Sequence, residues 1–169
     1  DTLSLHDALP ISATASNYEG FNLLCGDLSG TQRSLWFANS QEGTAHAVGP
    51  GIHGLSNASL DTPWPKLLRM KQGFRHALAE RDLTQRCERL QRLLHNATPT
   101  PEAQLPNTGV PFEVERMLGS IFIHSGHYGT RASTVLSVHD DLVTIRETGF
   151  GVNGEPQERV AFAFHIQYT

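Results

Sequence analysis

Histidine and cysteine are the residue types in this sequence best able to bind a metal or act as a nucleophile. His124 and His127 are three residues apart, but in a strand running into a turn this spacing places side chains on opposite faces. No H-E-x-x-H pattern and no cluster of histidines with carboxylates is present, so we expect no metal site. Cys25 lies in a β-like run and Cys87 on the apolar stripe of a helix, which favours two core thiols.

Asn57 raises a different question, because it precedes a well-marked helix start without belonging to it. It lies in GIHGLSNASLDTPWPKLLRMKQGF (51–74). Thr62 is a suitable N-cap, Pro63 suits the first helical position, and Asp61 adds negative charge near the positive end of the helix dipole. These features explain the helix start but leave Asn57 open, either to chemistry or to a turn in which it hydrogen-bonds its own backbone.

The elements that must position these residues run as strands, then helices, then strands. Two helices follow from apolar stripes, one from Leu67 to Leu78 and one from Leu83 to Leu94, and the short polar link between them implies an antiparallel pair. Alternating or apolar runs predict the strands. They are FNLLCGDL (21–28) and RSLWFANS (33–40) joined by a turn at Ser29 and Gly30, TAHAV (44–48), SIFIHS (120–125), STVLSVHDDLVTIRE (133–147) as a hairpin turning near Asp140 and Asp141, and RVAFAFHIQ (159–167). A loop spans 96–111, and the order predicts an α+β domain whose helices cover a mostly antiparallel sheet.

Length and charge exclude several classes of protein. The 169 residues, 38% of them apolar, fit one core, and 13 basic against 17 acidic side chains give a net charge of −4 without long runs of one sign. We therefore expect no nucleic-acid partner. No apolar stretch approaches the roughly 18 residues of a membrane span, and the unpaired cysteines fit a reducing compartment, so the expected location is cytoplasmic. We set residues 1–16 apart as a non-native or disordered leader and take 17–169 as the domain.

Three segments carry a resemblance to a known family. EGFNLLCGDL, GIHGLSNASLDTPWPKL and GHYGTRASTVLSV…VTIRET occur in the order and at the spacing seen in the NRDE family, also called the Transport and Golgi organisation protein 2 family. This family resembles the N-terminal nucleophile hydrolases, which are αββα sandwiches in which a processed N-terminal residue, here a cysteine, uses its own α-amino group as base. The resemblance thus implies mostly antiparallel sheets with a helix pair, as part of such a sandwich.

The sequence departs from this family in its N-terminal part. It contains neither the leading cysteine nor the Asn-Arg-Asp-Glu segment that gives the family its name, and neither Cys25 nor Cys87 can replace an N-terminal nucleophile. The resemblance therefore implies the C-terminal portion of one domain. We expect this chain to be inactive alone and of doubtful stability, because missing strands would leave sheet edges and apolar faces uncovered.

The resemblance also implies which residues serve a site. Asn57, in a segment similar to the L-T-N of bile-salt-hydrolase-like relatives, would donate to an oxyanion; losing such a donor costs about 3–4 kcal/mol of transition-state stabilisation. Arg131 would favour a thiolate or clamp a carboxylate or phosphate of the substrate, the alternative being an arginine that fixes the adjacent turn. Tyr128, Thr130 and Trp64 complete the expected ligand-binding set, although a core or wall position also suits Trp64.

Two functions of different class remain open. One is an amidohydrolase acting on a small amide or thioester. The other is a non-enzymatic protein that binds or transports an apolar ligand such as haem or acyl-CoA, linked to secretory and Golgi organisation. For haem, the exposed histidines would be His46, His53 or His165, but the sequence has no Cys-Pro dipeptide of the haem-regulatory kind. We expect no resident cofactor, with haem only as a possible ligand.

Overall fold

A computed structural model describes residues 14, 17, 20–28 and 33–167 of the chain. The predicted leader, apart from residue 14, and the predicted turn at Ser29 and Gly30 lie outside the described residues. The chain divides into two units. The first comprises the residues up to Asp61 with the last residues from Ile166, and the second comprises Thr62–His165.

The first unit is built on a three-stranded antiparallel sheet with the order β1-β2-β3. Its strands are β1 (Asn22–Asp27), β2 (Ser34–Asn39) and β3 (Ala45–Ala47), which confirms the three strands predicted for this part of the sequence. The end of β2 is the buried part of the sheet, where Phe37 and Asn39 are each 2% exposed. Asn39 is therefore a buried polar side chain that follows the buried apolar residues Phe37 and Ala38.

Two helices open the second unit, α1 (Pro65–Leu78) and α2 (Leu83–Leu94), and both confirm the predicted pair. Asp82 caps α2, because its carboxylate accepts a hydrogen bond from the Gln85 N–H at 2.8 Å. A Cβ on Gly73 would come within 2.5 Å of the Leu93 side chain, so the middle of α1 touches the last turn of α2, and the chain folds back on itself at the short link. The pair is therefore antiparallel, as the short link predicts.

The predicted start of α1 is wrong by two residues. The N-cap residue is Trp64, whose side chain makes no capping hydrogen bond. Pro65 rather than Pro63 occupies the first helical position. A residue before proline is pushed away from helical geometry, and Trp64 is accordingly extended at φ −66°, ψ 144°. The second proline of the Pro-Trp-Pro triplet therefore sets the boundary, and Thr62 lies outside the helix.

A second three-stranded antiparallel sheet, with the order β4-β5-β6, completes the second unit. Its strands are β4 (Ala132–His139), β5 (Leu142–Phe150) and β6 (Pro156–His165). The predicted hairpin is confirmed, with Asp140 at φ +51° in the two-residue connection. Val135 of β4 packs against a cluster on α1 and α2, so the helices cover one face of this sheet; the other members are Ala77, Cys87 and Leu90.

One local prediction for the second unit fails. SIFIHS is not a strand: apart from one isolated bridge between His124 and Gly129, residues 120–125 are irregular. A short helix, α3 (Phe112–Leu118), follows the predicted loop of residues 96–111, in a stretch for which we predicted no element. The apolar spacing of Val114, Met117 and Leu118 is the local signal for this helix.

Hydrogen bonds of Glu115 and Lys66 connect α3 to the loop before it and to the start of α1. The Oε1 of buried Glu115 accepts hydrogen bonds from the Thr108 N–H at 2.7 Å and from its hydroxyl at 2.5 Å. Lys66 donates to the Leu118 carbonyl at 3.0 Å. Burial lowers the pKa of the Lys66 ammonium, and the negative charge of Glu115 opposes that shift. Lys66 therefore links the start of α1 to the end of α3.

The structure also bears on the α+β and membrane predictions. Among the described residues, two antiparallel sheets and three α-helices confirm the α+β class, while the four-layer αββα sandwich stays a prediction. Within the described ranges, no helix has the length and apolar character needed to cross a membrane.

Candidate functional site

Asn57 belongs to the first unit and lines a polar cavity of about 370 Å³ there. The carboxamide side chain is exposed, and no described residue makes a hydrogen bond with it. The cavity is also lined by residues from one end of the β1–β2 pair, where the start of β1 faces the end of β2, and from the turn after β2. They are Gly20, Phe21, Asn22, Asn39, Ser40, Gln41 and Ala58. We call it the amide cavity, because four of its lining side chains are carboxamides.

Two of those carboxamides, Asn22 and Asn39, already make hydrogen bonds within the protein. Asn22 donates from Nδ2 to the Ser56 carbonyl at 2.9 Å and so fastens β1 to the segment carrying Asn57. Buried Asn39 accepts from the Glu42 N–H at 2.7 Å and donates to its carboxylate at 3.3 Å. Asn57 makes no such hydrogen bond with a described residue, so its amide donor is available to a ligand in the cavity.

The loop that carries Asn57 is closed at its base by Asp61. Its Oδ1 accepts from the Gly54 N–H at 2.9 Å, while its own N–H donates to the Gly54 carbonyl at 2.8 Å. Its Oδ2 lies 2.7 Å from His53 Nδ1, and His53 Nε2 lies 3.0 Å from the Gly49 carbonyl oxygen. The carboxylate of Asp61 therefore holds both His53 and Gly54, and residues 55–60 form the loop between Gly54 and Asp61.

This arrangement corrects the role predicted for Asp61. The first turn of α1 contains no acidic residue, and Asp61 lies three residues before the N-cap Trp64, with a left-handed backbone at φ +62°. Aspartate tolerates this conformation better than most residues. Asp61 therefore closes the Asn57 loop instead of complementing the helix dipole, and both ring nitrogens of His53 are engaged in the same closure.

Tyr128, Thr130 and Arg131 belong to the second unit, where they meet at one cavity of about 220 Å³. A small hairpin over residues 123–130 forms one wall: the Thr130 N–H donates to the Ile123 carbonyl at 2.7 Å and the Ser125 N–H to the Tyr128 carbonyl at 2.9 Å. The Thr130 hydroxyl accepts from the Ile123 N–H at 3.0 Å, so it is a structural group. The turn at residues 151–154 forms the opposite wall.

The exposed groups of this second cavity come from the hairpin tip and the start of β4. Tyr128 is 55% exposed. The Arg131 backbone is fixed, because its carbonyl accepts from the Phe150 N–H at 2.8 Å. Within the described part of the chain, no hydrogen bond or ion pair engages the Arg131 guanidinium, so the predicted alternative of a turn-fixing arginine has no contact to support it.

The remaining predicted ligand residue, Trp64, is half-buried in the second unit and lines neither of these two cavities. Lys66 Nζ lies 5.8 Å from the centre of its ring, a cation–π distance. Trp64 therefore packs at the start of α1, as a wall residue would.

The cysteines and scattered histidines form no further cluster. Cys87 is buried, as predicted, and Cys25 is half-buried. His46 lies 3.0 Å from Glu42, and His165 lies 2.9 Å from Asp141. The hydrogen bond from His165 lowers the pKa of the Asp141 carboxyl. No group of three or more His, Cys, Asp or Glu side chains that could hold a metal ion occurs among the residues described.

Gly154 lines the second cavity at a position where a larger residue would collide with Phe122. Its φ is +75°, and a Cβ there would lie 2.8 Å from the Phe122 ring and 3.4 Å from the His124 side chain. We expect Gly154→Ala to lower the free energy of unfolding by about 2 kcal/mol, because alanine at positive φ is strained and its methyl group collides with the ring.

The matched control is Gly109→Ala, where φ is +89° and nothing lies within 4 Å of the added carbon. Urea unfolding of both variants separates backbone strain from the collision. Equal losses at the two positions would show that the contact with Phe122 has no energetic weight.

Comparisons with known proteins agree on one family. A family model described as Transport and Golgi organisation 2 matches residues 4–150. A Transport and Golgi organization protein 2 homolog of Bos taurus is 33% identical over 178 residues, covering 99% of this chain and 64% of the relative. The homolog of Homo sapiens is 33% identical over 150 residues, covering 83% and 54%, and that of Mus musculus 29% over 147 residues, covering 82% and 53%. This chain spans about half to two thirds of the length of these curated relatives.

Proposed function

Because the chain belongs to the Transport and Golgi organisation 2 family, we propose that it binds a small amide or thioester and presents the ligand carbonyl to Asn57. One observation carries this proposal: the Asn57 carboxamide lines a polar cavity without a hydrogen-bond partner among the described residues. The family's resemblance to N-terminal nucleophile hydrolases, seen in the L-S-N segment, supports the same chemistry.

The frame around Asn57 suits a donor that must be ready before the ligand arrives. Asn22 and Asp61 fix the two sides of its loop through backbone atoms of Ser56 and Gly54. A donor on a fixed loop costs little reorganisation when charge develops on a carbonyl oxygen. In the hydrolase interpretation, Asn57 would therefore polarise the ground-state carbonyl and stabilise the oxyanion that follows nucleophilic attack.

The proposal is tested by calorimetric titration of the chain with N,S-diacetylcysteamine, a small molecule that carries both an amide and a thioester carbonyl. We expect saturable binding and about tenfold weaker binding by Asn57→Asp, which keeps the side-chain shape but replaces the amide donor by an acceptor. Asn107→Asp is the matched control, since it makes the same change on an exposed loop of the second unit. Equal affinity of the two variants would refute the proposed role of Asn57.

The second candidate function is non-enzymatic binding of an apolar ligand such as an acyl chain or haem. One observation favours it: Leu136, Phe162 and Phe164 are more than half exposed. Leu136 and Phe162 both pair with Ile145, so they lie on the same face of the second sheet. Titration with palmitoyl-CoA or haem should then give a saturable response that Phe162→Ser weakens, and an unchanged response would exclude this surface.

A further inference from the structure

We propose that the cavity between the 123–130 hairpin and the 151–154 turn binds the phosphoryl group of a small phosphate monoester. We call it the phosphoryl pocket. It lies wholly in the second unit and therefore goes beyond the proposed function, which rests on Asn57 in the first. The inference depends on charge, on unoccupied donors and on the rigidity of the walls.

The charge of the pocket is one-sided. Arg131, His124 and His127 all line it, and none of the described residues that line it carries a carboxylate. The chain as a whole has a net charge of −4, so this local excess of positive or protonatable groups is opposite to the overall balance. An anion is the ligand that such a lining attracts.

Arg131 is the strongest donor available to that anion. Other arginines of the second unit are held by carboxylates or carbonyl oxygens: Arg89 by Glu80 at 2.8 Å, Arg116 by Glu113 at 2.7 Å and Arg69 by the Thr98 carbonyl at 2.6 Å. Nothing in the described ranges engages the Arg131 guanidinium in this way. Its planar fork can therefore offer two parallel N–H groups to phosphoryl oxygens.

The tip of the hairpin offers further donors. The Gly126 and His127 N–H groups make no hydrogen bond to any described residue, whereas the Ser125 hydroxyl is used up by the Tyr128 backbone. Open backbone N–H groups beside an arginine are a common means of binding phosphate. Tyr128 and Asn153 line the same pocket, and the side chain of each carries a neutral donor.

The number of donors distinguishes a phosphoryl group from a carboxylate. A carboxylate is satisfied by one bidentate arginine, while a phosphate monoester presents three acceptor oxygens. The pocket supplies an arginine, two imidazoles and backbone N–H groups, and its volume of about 220 Å³ leaves room for a small esterified group. Hydrogen bonds hold the backbone of the hairpin wall, so its backbone N–H donors need little reorganisation.

The test is a titration of the ¹⁵N-labelled chain, followed by amide NMR signals at constant ionic strength, with inorganic phosphate, glycerol 3-phosphate and acetate as the three probes. We expect saturable displacement of the Gly126 and His127 signals by both phosphates, with the ester binding at least as tightly as the inorganic ion. Acetate should bind at least tenfold more weakly. Displacement that does not saturate, an ester tenfold weaker than inorganic phosphate, or acetate equal to phosphate would each overturn the proposal.

Arg131→Gln should weaken phosphate binding about tenfold, and Arg75→Gln, an exposed arginine on α1 outside the pocket, should leave it unchanged. Equal affinities of the two variants would contradict the assignment. A second measurement needs no variant: phosphate should slow the modification of Arg131 by phenylglyoxal in the wild-type chain, and an unchanged rate would also count against the pocket.

Discussion

We expect Phe122→Ala to lower the free energy of unfolding by about 3–5 kcal/mol, the largest effect of any single substitution considered for this chain. Phe122 is 2% exposed. Its ring stacks on His95 at 4.1 Å between centroids and meets the edge of Phe150 at 4.8 Å. The ring thus joins the end of α2, the 123–130 hairpin and the end of β5, and its removal leaves a cavity beneath the phosphoryl pocket.

Phe112→Ala is the matched control, since it deletes the same side chain where it is 52% exposed. Urea unfolding followed by tryptophan fluorescence should give a loss of less than about 1 kcal/mol for this variant. Phe122→Leu, which keeps most of the buried volume, should fall between the two. Similar losses for Phe122→Ala and Phe112→Ala would mean that the aromatic cluster does not support this unit.

Asp61→Ala should destabilise the Asn57 loop by about 3 kcal/mol. Each of two contacts to an ionised carboxylate is worth about 1.5 kcal/mol or more, and alanine at the left-handed φ of Asp61 adds strain. Hydrogen exchange should report the change as faster exchange of the backbone N–H groups between Gly54 and Asp61. The affinity for N,S-diacetylcysteamine should fall with it, because the Asn57 donor loses its fixed position.

Two controls separate the contributions. Asp61→Asn keeps an acceptor for the Gly54 N–H and tolerates the left-handed backbone, so it should lose less. Asp140→Ala places alanine at another left-handed aspartate, φ +51° in the β4–β5 turn, and gives the combined cost of the strain and of losing a carboxylate that is 88% exposed. Unchanged exchange of the loop in Asp61→Ala would contradict the closure described for the first unit.

Regular elements were largely predictable from the sequence, because their signals are local. The apolar stripes that end at Leu78 and Leu94 predict both long helices, and the two-residue turn at Asp140 and Asp141 predicts the central hairpin. The SIFIHS prediction failed because tertiary packing overrides β propensity there: Phe122 is drawn into the aromatic cluster, and the Thr130 hydroxyl, not a neighbouring strand, accepts the Ile123 N–H bond. The predicted start of α1 was wrong because Pro63 and Pro65 both suit the first helical position, and the sequence does not show which of them occupies it.

The candidate sites were predictable only in part. Tyr128, Thr130 and Arg131 lie within four consecutive residues, so a single turn is enough to bring them to one cavity. The contact of Asp61 with His53 spans eight residues and depends on a left-handed aspartate, a conformation that the sequence does not mark. Strand pairing brings Asn22 and Asn39 to the cavity that Asn57 lines, and no local pattern reveals this.

The central claim is that the Asn57 amide donates a hydrogen bond to a ligand carbonyl. The most direct test is the ¹³C NMR signal of N,S-diacetylcysteamine labelled at both carbonyl carbons and bound to the chain. We predict a downfield displacement of one carbonyl signal in the wild-type protein, because a donated hydrogen bond polarises the carbonyl, and no displacement in Asn57→Asp at saturating ligand. The same displacement in both proteins, or none in the wild type, would contradict the account.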